Sequence, residues 1–393
     1  MMATAAGVVA INMYVPSLPA IAEYFDASDQ MVQLTLTVFM ALFAISQLVY
    51  GPLADRYGRK PIMAGGLAIF CVANLLALSA QSIEWLLAAR VLQAIGACSG
   101  LVLTRAMVRD VYDRSQSARI MAYLGMGGGI SSSIAPLLGG GLQSWTGDWR
   151  ANFIFMTLFG LFVLVILLTM VRETLPQREV VSRGLGGMMV DYWSLLRTPE
   201  YMLYSVGSGL MNGTFFVFLP VAPFILREFT ASSPERLGIV LMFITGGFFA
   251  GNLIMSRIGS RVTLEKMVLF GSLICLAGVL TMTGLAIGGA RTEMAIALPM
   301  MFFGIGNGFA IPPSSVIAVS VRPQIVGTAS ALYGFNSFAL AALCTFLGGF
   351  IPYVSQVPVA MAMTATCGGG VLCFVVGLFL YRRRETAARR KGI

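Results

Sequence analysis

Long apolar stretches separated by short polar loops dominate this sequence of 393 residues and restrict its fold more than any other feature. Hydrophobic residues make up 57% of the chain and charged residues only 11%, with a mean hydropathy of +0.83. A helix needs about 20 apolar residues to cross a bilayer. The sequence therefore predicts an all-α membrane protein with twelve transmembrane helices, near 3–23, 31–53, 61–80, 85–108, 118–145, 150–171, 200–226, 236–257, 265–288, 294–319, 326–352 and 358–381.

The basic residues of the loops are distributed unevenly between the two sides of the predicted membrane. Alternate loops carry most of them, and more follow Arg382 at the end of the chain. By the positive-inside rule, this pattern predicts that both termini are cytoplasmic. The excess of basic residues then indicates a membrane surface, with the basic tail held by anionic lipid, and we expect no nucleic-acid partner.

A polar stretch near the middle of the sequence divides the twelve predicted helices into six and six. The segment from Gly251 to Lys266 is a degenerate repeat of the segment from Gly51 to Lys60, as expected for two similar halves. The predicted units are an N-terminal six-helix bundle at 1–171, a cytoplasmic linker at 172–198, a C-terminal six-helix bundle at 199–382 and a basic cytoplasmic tail at 383–393.

The residue types needed for several kinds of catalysis are missing from the sequence. The chain contains no histidine, its six cysteines form no C-x-x-C pair, and no G-x-x-x-x-G-K-[ST] phosphate-binding loop occurs. These absences argue against a metal site, a Ser-His or Cys-His catalytic pair and ATP hydrolysis. We therefore expect no metal and no cofactor.

The segment from Gly51 to Pro61, G-P-L-A-D-R-Y-G-R-K-P, resembles the G-x-L-a-D-r-x-G-r-k signature of the major facilitator superfamily. The resemblance implies a cytoplasmic loop after the second helix that controls conformational change. The alternative is a basic turn with no further role. A charge network of Arg105, Arg109 and Asp110 with Asp55 is expected beside this loop. The residues assigned to conformational gating here are Gly51, Asp55, Arg56, Gly58, Arg59 and Arg109.

Arg90 stands in an apolar stretch, in the sequence R-V-L-Q-A-I-G, which resembles the superfamily's second motif, R-x-x-q-G, with two extra residues before the glycine. A guanidinium within hydrocarbon costs at least about 2.5–3.5 kcal/mol, so it should face protein or a watery cavity and have a partner. One interpretation is a cavity cation that responds to substrate or to protonation. The other is a structural group that hydrogen-bonds backbone carbonyls between helices.

The predicted fifth helix is rich in small residues between Gly125 and Gly141. It is similar to the antiporter motif g-x-x-x-G-P-x-x-G-G, with Pro136, Gly139 and Gly140 retained. Small residues let helix backbones approach closely, which suits two bundles that rock against each other. The resemblance favours an exporter, and we assign these three residues to gating as well.

The first helix reads I-N-M-Y-V-P-S-L-P-A-I from Ile11 to Ile21. It resembles the D-M-Y-L-P-A-L-P-A-I signature of Bcr/CflA-type drug exporters, which include the bicyclomycin, chloramphenicol and florfenicol exporters. Asn12 stands where that family has the acid that takes up and releases a proton, and no other acid is expected at mid-membrane. Three explanations stay open: an engineered Asp-to-Asn change that mimics the proton-loaded form, a natural exporter coupled elsewhere, and an uncoupled facilitator.

Polar and aromatic residues on the predicted helices are candidates for a substrate cavity. An apolar cavity with a few polar anchors suits an amphiphilic drug such as an amphenicol, although each residue could equally serve helix packing. The candidates are Asn12, Gln33, Arg90, Asn212, Phe215, Phe216, Asn307, Tyr333 and Asn336.

These resemblances together imply a multidrug exporter of the bacterial inner membrane that works by alternating access, with proton antiport as the ancestral mechanism. We expect a monomer that binds a small amphiphilic drug and membrane lipid. An uptake or facilitated-diffusion carrier is the main alternative. An intramembrane enzyme or sensor is a remote one, because the chain lacks histidine and mid-membrane acids.

Overall fold

The computed structural model describes residues 1–175, 185–230, 233–258, 262–351 and 355–390, and these ranges contain helices but no strands. The helices of the first half are α1 (Met2–Asn12), α2 (Leu18–Tyr24), α3 (Asp29–Tyr57), α4 (Arg59–Leu78), α5 (Ile83–Val111), α6 (Arg114–Thr146) and α7 (Arg150–Met170). Those that follow are α8 (Leu185–Leu196), α9 (Pro199–Phe218), α10 (Ala222–Thr230), α11 (Pro234–Ile258), α12 (Leu264–Ile287), α13 (Glu293–Ser320), α14 (Val326–Gly348) and α15 (Val357–Arg390).

The helical segments account for the predicted membrane spans. In the described ranges, eleven segments are long and apolar enough to cross a membrane. The remaining predicted span, 118–145, falls within α6, which has 33 residues and is rich in glycine and serine. The all-α membrane fold predicted from hydropathy is therefore confirmed.

The first and seventh predicted spans coincide with segments long and apolar enough to cross a membrane, but neither is one continuous α-helix. The first is interrupted by a 3₁₀ turn, Val15–Ser17, between α1 and α2. The seventh is interrupted between Phe218 and Ala222, so that α9 and α10 are separate. Prolines explain both breaks, because Pro16 and Pro220 lack the N–H that a continuous helix would use.

The segment from Gly51 to Pro61 was predicted as a loop, and this prediction is wrong for all but one residue. Helix α3 continues through Pro52 as far as Tyr57, and α4 begins at Arg59. Gly58 alone separates them, with φ of 100° and ψ of 151°. That region of backbone conformation is essentially restricted to glycine, so Gly58 allows the chain to reverse direction without a longer loop.

The membrane helices pack as two groups. The first contains α1 and α3–α7, and the second contains α9 and α11–α15, with α3 against α14 and α6 against α11 where the groups meet. The bounds of the two predicted bundles, 1–171 and 199–382, stay predictions. Because successive helices run in opposite directions, one end of the molecule carries Gly58 and the other carries Gly147; we call them the Gly58 end and the Gly147 end.

Contacts between the two groups extend from the Gly147 end to about two thirds of the way along the helices. On α3 and α14, Phe43 and Phe338 have ring centroids 4.8 Å apart, and Gln47 leaves no room for a Cβ on Gly334. Beyond them, a Cβ on Gly51 or on Gly327 would have no neighbour within 4 Å. The contacts found between the two groups therefore lie toward the Gly147 end, and we interpret the space between the groups as a crevice that is closed there and open at the Gly58 end.

The predicted linker and tail are only partly described. Residues 176–184 of the linker lie outside the described residues, and its remainder contains α8, which packs against α9 and α14. Helix α15 continues to Arg390, beyond the predicted end of the last span, and 391–393 lie outside the described residues.

Candidate functional site

Arg90 is enclosed between two aromatic rings in the first group of helices. Its guanidinium carbon lies 4.4 Å from the ring centroid of Tyr14 and 4.3 Å from that of Phe39, and the residue is 0% exposed. Each desolvated cation–π contact stabilises the charge by about 2 kcal/mol. Arg90 Nη1 donates to the backbone carbonyl of Ala10 at 3.1 Å, which ties α5 to α1.

A chain of amide side chains continues from Arg90 into the helix group. Arg90 Nη1 also donates to Gln93 Oε1, and Gln93 Nε2 donates to Asn74 Oδ1 at 2.6 Å. Asn74 Nδ2 in turn donates to the carbonyl of Phe70 at 2.8 Å. These side chains are buried, so the chain holds α4 and α5 in one register around the guanidinium.

The polar groups of this region leave several hydrogen-bonding positions without partners. Arg90 Nε and Nη2 have no acceptor among the described residues, and neither has Asn12 Oδ1 a donor. Asn12 Nδ2 donates to the carbonyl of Val8 at 2.9 Å, and the residue is 6% exposed. A buried donor or acceptor without a partner costs about 1–3 kcal/mol. This site is therefore less completely satisfied than an ordinary protein core.

The candidates of the second group lie where α9, α13 and α14 meet. The hydroxyl of Tyr333 lies 3.2 Å from Ser314 Oγ, which lies 2.6 Å from Ser208 Oγ. One helical turn along α14, Asn336 Nδ2 donates to Ser205 Oγ at 2.9 Å. The structure thus brings Tyr333 and Asn336 together on the α14 face that meets α9.

The other cavity candidates lie at several different positions. Asn212 Nδ2 donates to Ser337 Oγ at 3.2 Å, close to the Tyr333 and Asn336 group. Phe215 and Phe216 form an edge-to-face pair with centroids 5.3 Å apart. Gln33 is buried at the closed end, where its Oε1 lies against Gly349, and Asn307 is buried on α13.

Asp55, Arg59 and Asp110 form a charge network at the Gly58 end. Arg59 Nη1 lies 2.5 Å from Asp55 Oδ1, and Arg59 Nε lies 2.9 Å from Asp110 Oδ2. We expected Arg105 and Arg109 in this network, and that expectation is wrong. Both are exposed on α5, and in the described ranges neither forms an ion pair with Asp55 or Asp110, whose carboxylates are bound to Arg59. The guanidinium of Arg56 lies 5.2 Å from the ring centroid of its neighbour Tyr57.

Glu173, three residues beyond the end of α7, caps the start of α4. Its carboxylate accepts hydrogen bonds from the backbone N–H groups of Arg59 at 3.0 Å and Lys60 at 3.1 Å. It also accepts from Thr174 and Leu175 at 2.8 and 2.9 Å. Desolvation opposes the charged form, but the backbone hydrogen bonds outweigh it and hold the pKa of Glu173 below its ordinary value. An anion at this position also interacts favourably with the dipole of α4.

The small residues of α6 allow close backbone contact with neighbouring segments, as their sequence predicted. Gly139 lies against the carbonyl of Met13, and Gly140 lies against the carbonyl of Pro234 in the other group. The carbonyl of Pro136 lies against Gly238 of α11. A Cβ at any of the three glycines would overlap a backbone atom, so α6 and α11 meet without intervening side chains at the Gly147 end. The gating role of these residues stays a prediction.

Sequence reasoning missed several contributors to the site. Gln93 could have been found, because it lies three residues after Arg90 and therefore on the same helix face. No such signal marked Tyr14, Phe39 or Glu173. Each contacts a partner that is far away in the sequence, and local sequence patterns do not predict such contacts.

A surface cleft at the Gly147 end does not coincide with the predicted site. It has a volume of about 600 Å³ and lies at the Gly147 end, between the α2–α3 and α4–α5 connections, where it is lined by Tyr24, Asp26, Gln81 and Glu84 among others. None of the predicted site residues lines it.

Two groups of membrane helices around a crevice, with buried polar groups inside, define a transporter of the polytopic helical class. The sequence model of the Major Facilitator Superfamily matches residues 1–345. The chain belongs to this superfamily, and it is a multi-pass membrane transporter rather than an enzyme.

Curated relatives carry names connected with drug resistance. The chain is 29% identical over 360 residues to the chloramphenicol resistance protein of Pseudomonas aeruginosa, covering 89% of this chain and 83% of that protein. It is 29% identical over 381 residues to multidrug resistance protein D of Escherichia coli, with coverages of 94% and 92%. The predicted resemblance to drug exporters of the superfamily is thereby confirmed.

Solved structures agree on the fold. The xylose transporter XylE of E. coli, in a partially occluded inward-open conformation, superimposes with a TM-score of 0.73 over 97% of this chain and 96% of that chain. The two sequences are only 13% identical, so the likeness concerns the fold.

Proposed function

We propose that this protein exports small amphiphilic drugs, such as amphenicols, by alternating access in the bacterial inner membrane. It does so as a monomer surrounded by lipid, with both termini in the cytoplasm. The observation that carries this proposal is the crevice, which is closed at the Gly147 end by backbone contacts of Gly140 and Gly238 and open at the Gly58 end. Such a seam can open while the opposite end closes, and the names of the curated relatives support a drug as cargo.

Proton antiport is the mechanism from which this site derives. A coupling carboxylate needs a pKa that changes as burial and a nearby cation alternate. Asn12 belongs to α1, the helix that Arg90 contacts through the carbonyl of Ala10, so we propose that an acid at position 12 is influenced by the guanidinium. Asn12 has the shape of a protonated Asp and cannot ionise, and its unpaired Oδ1 lies where a carboxylate oxygen would be. The chain as written therefore resembles the proton-loaded form.

The test is drug efflux from proteoliposomes under an imposed proton gradient, comparing the protein with Asn12→Asp. We expect gradient-driven chloramphenicol efflux with the Asp variant and not with the chain as written. A protonophore should abolish the difference. Equal driven efflux by both proteins would place the coupling site elsewhere.

An uncoupled facilitator is the second candidate, and the lack of a mid-membrane acid favours it. The acids of the described helices lie toward the ends, with Asp55 and Asp110 in the Arg59 network. A facilitator would show equal drug counterflow at all pH values and no accumulation against a gradient. Counterflow that changes with pH would exclude it.

A further inference from the structure

Arg105 and Arg109 form a pair of basic side chains one helical turn apart on α5. Both residues are exposed, whereas the neighbouring Ala106, Met107 and Val108 are buried. Residues four apart lie on the same face of a helix, so the two guanidiniums point in one direction. We call them the α5 arginine pair.

The pair faces the crevice. Arg105 lies within electrostatic range of Arg109 and of Tyr333. Tyr333 belongs to α14, in the opposite group of helices, and its hydroxyl contacts Ser314 of α13. Arg105 is exposed and also close enough to α14 to interact electrostatically with Tyr333. Its side chain therefore lies in the space between the two groups rather than against lipid.

The α5 arginine pair has no internal counter-charge. Within the described ranges, neither guanidinium makes a hydrogen bond or an ion pair. Asp110, next to Arg109, and Asp55 at the same end are both bound to Arg59, and Asp113 accepts a hydrogen bond from the backbone N–H of Gln116. Like charges at this spacing repel each other, and the low dielectric of a membrane protein strengthens the repulsion. An anion that enters the crevice would therefore reduce the repulsion between the two guanidiniums.

The opposite wall of the crevice supplies neutral hydrogen-bonding groups. The hydroxyl of Tyr333 and the amide of Asn336 lie on α14, one turn apart. A carboxylate can accept two parallel hydrogen bonds from one guanidinium, which gives geometry as well as charge. A molecule with a carboxylate at one end and hydroxyl or amide groups further along would find a partner on each wall.

We propose that the crevice selects substrates that carry a carboxylate, which binds the α5 arginine pair. This inference rests on the proposed export function and specifies the substrate class of the same crevice. A neutral amphenicol is then a weaker substrate than a derivative of it that bears a carboxylate.

Chloramphenicol and its hemisuccinate provide a matched pair of probes, because they differ by an ester that ends in a carboxylate. We expect the purified protein to bind the hemisuccinate at least tenfold more tightly in calorimetry, with a preference that declines as salt is raised. Arg105→Gln should bring the ratio of the two affinities toward one, and Arg105→Lys should keep part of it. Arg197→Gln is the control: it removes one charge just beyond the end of α8, where the guanidinium lies 4.7 Å from the ring centroid of Trp193.

The outcomes separate this inference from the proposed function. Tighter binding of the hemisuccinate, with no gradient-driven transport of either compound by the Asn12→Asp variant, would support the carboxylate site and contradict the exporter. Transport of chloramphenicol with no preference for the hemisuccinate would overturn the carboxylate site and leave the exporter standing. Failure of both compounds to bind would overturn both. Gel filtration of each variant, with Arg105→Lys as the conservative change, excludes misfolding as the cause.

Discussion

The carboxylate of Glu173 accepts a 3.0 Å hydrogen bond from the backbone N–H of Arg59, across 114 positions of sequence. This contact joins the segment after α7 to the one-residue turn between α3 and α4. Lys60 adds a second connection, because its Nζ donates to the carbonyl of Leu168 at 2.9 Å. The position of the Gly58 turn is therefore linked to the start of the segment that connects the two groups of helices.

Gly58→Ala should destabilise the protein by about 1–3 kcal/mol, because the backbone at this position is in a region that side chains avoid. A Cβ there would also lie 2.8 Å from Glu173 Oε2. Gly65→Ala is the matched control in α4, since a Cβ at that position meets nothing within 4 Å and helix propensity favours alanine. Thermal unfolding in detergent, followed with a thiol-reactive dye on the buried cysteines, measures the difference. Equal unfolding midpoints for the two variants would contradict the predicted backbone strain at position 58.

Glu173→Gln should lower stability at neutral pH by about 0.5–1 kcal/mol, the usual range for loss of a cap at a helix start. The pKa of Glu173 is lower in the folded protein, so its charged form contributes stability above the unfolded pKa of about 4.3. That contribution is lost as the pH falls through the folded pKa. The gap in unfolding midpoint between the protein and the variant should therefore be full near pH 7 and close below pH 4. A gap that stays constant with pH would show that the charge has no part in the cap.

Gly140→Ala should weaken closure at the Gly147 end, because the added Cβ would overlap the carbonyl of Pro234. Overpacking of this kind costs about 1–3 kcal/mol, and it acts only on the closed seam between α6 and α11. Hydrogen exchange should increase in the first turns of α11. Gly141→Ala, whose Cβ has no neighbour within 4 Å, is the control and should leave exchange unchanged. Identical exchange in both variants would show that the seam tolerates a methyl group.

In the Asn12→Asp background, Arg90→Met should lower gradient-driven drug efflux tenfold or more, while changing stability by no more than about 2 kcal/mol. Replacing a buried charge with an apolar side chain of similar size often leaves stability unchanged, although Gln93 loses a partner here. Efflux in vesicles and thermal unfolding of the same preparation check both parts. A large loss of stability would identify Arg90 as a structural group, and full efflux would remove it from the mechanism.

Hydropathy predicted which segments are membrane helices, because burial in lipid requires long apolar runs whatever their neighbours are. It could not locate the breaks near Pro16 and Pro220, because an average over about 20 residues does not register the loss of one backbone donor. The opposite error occurred at Gly51 to Pro61, where charged residues suggested a loop. The residues between Leu53 and Tyr57 are good helix formers, and only the backbone of Gly58 required a turn.

The candidate site was predictable in its residue types and not in its arrangement. Arg90 is conspicuous because a charge in an apolar run is costly. Its two aromatic partners come from the turn after α1 and from α3, and one aromatic residue among 26 phenylalanines and 12 tyrosines cannot be selected by its type. The side of α5 on which Arg105 and Arg109 lie could not be predicted for the same reason. The orientation of α5 depends on helices that contact it from elsewhere in the chain.

The basic side chains of the crevice should make the conformation of this protein responsive to voltage. In the conformation described here, Arg105 is exposed, and the crevice that it faces opens at the Gly58 end. Opening the Gly147 end instead would carry its charge through part of the transmembrane field. A full crossing of one charge is worth about 2.3 kcal/mol per 100 mV. With the Gly58 end in the cytoplasm, as proposed, a membrane potential that is negative inside would favour the inward-open state. It would slow the change to the state that is open at the Gly147 end.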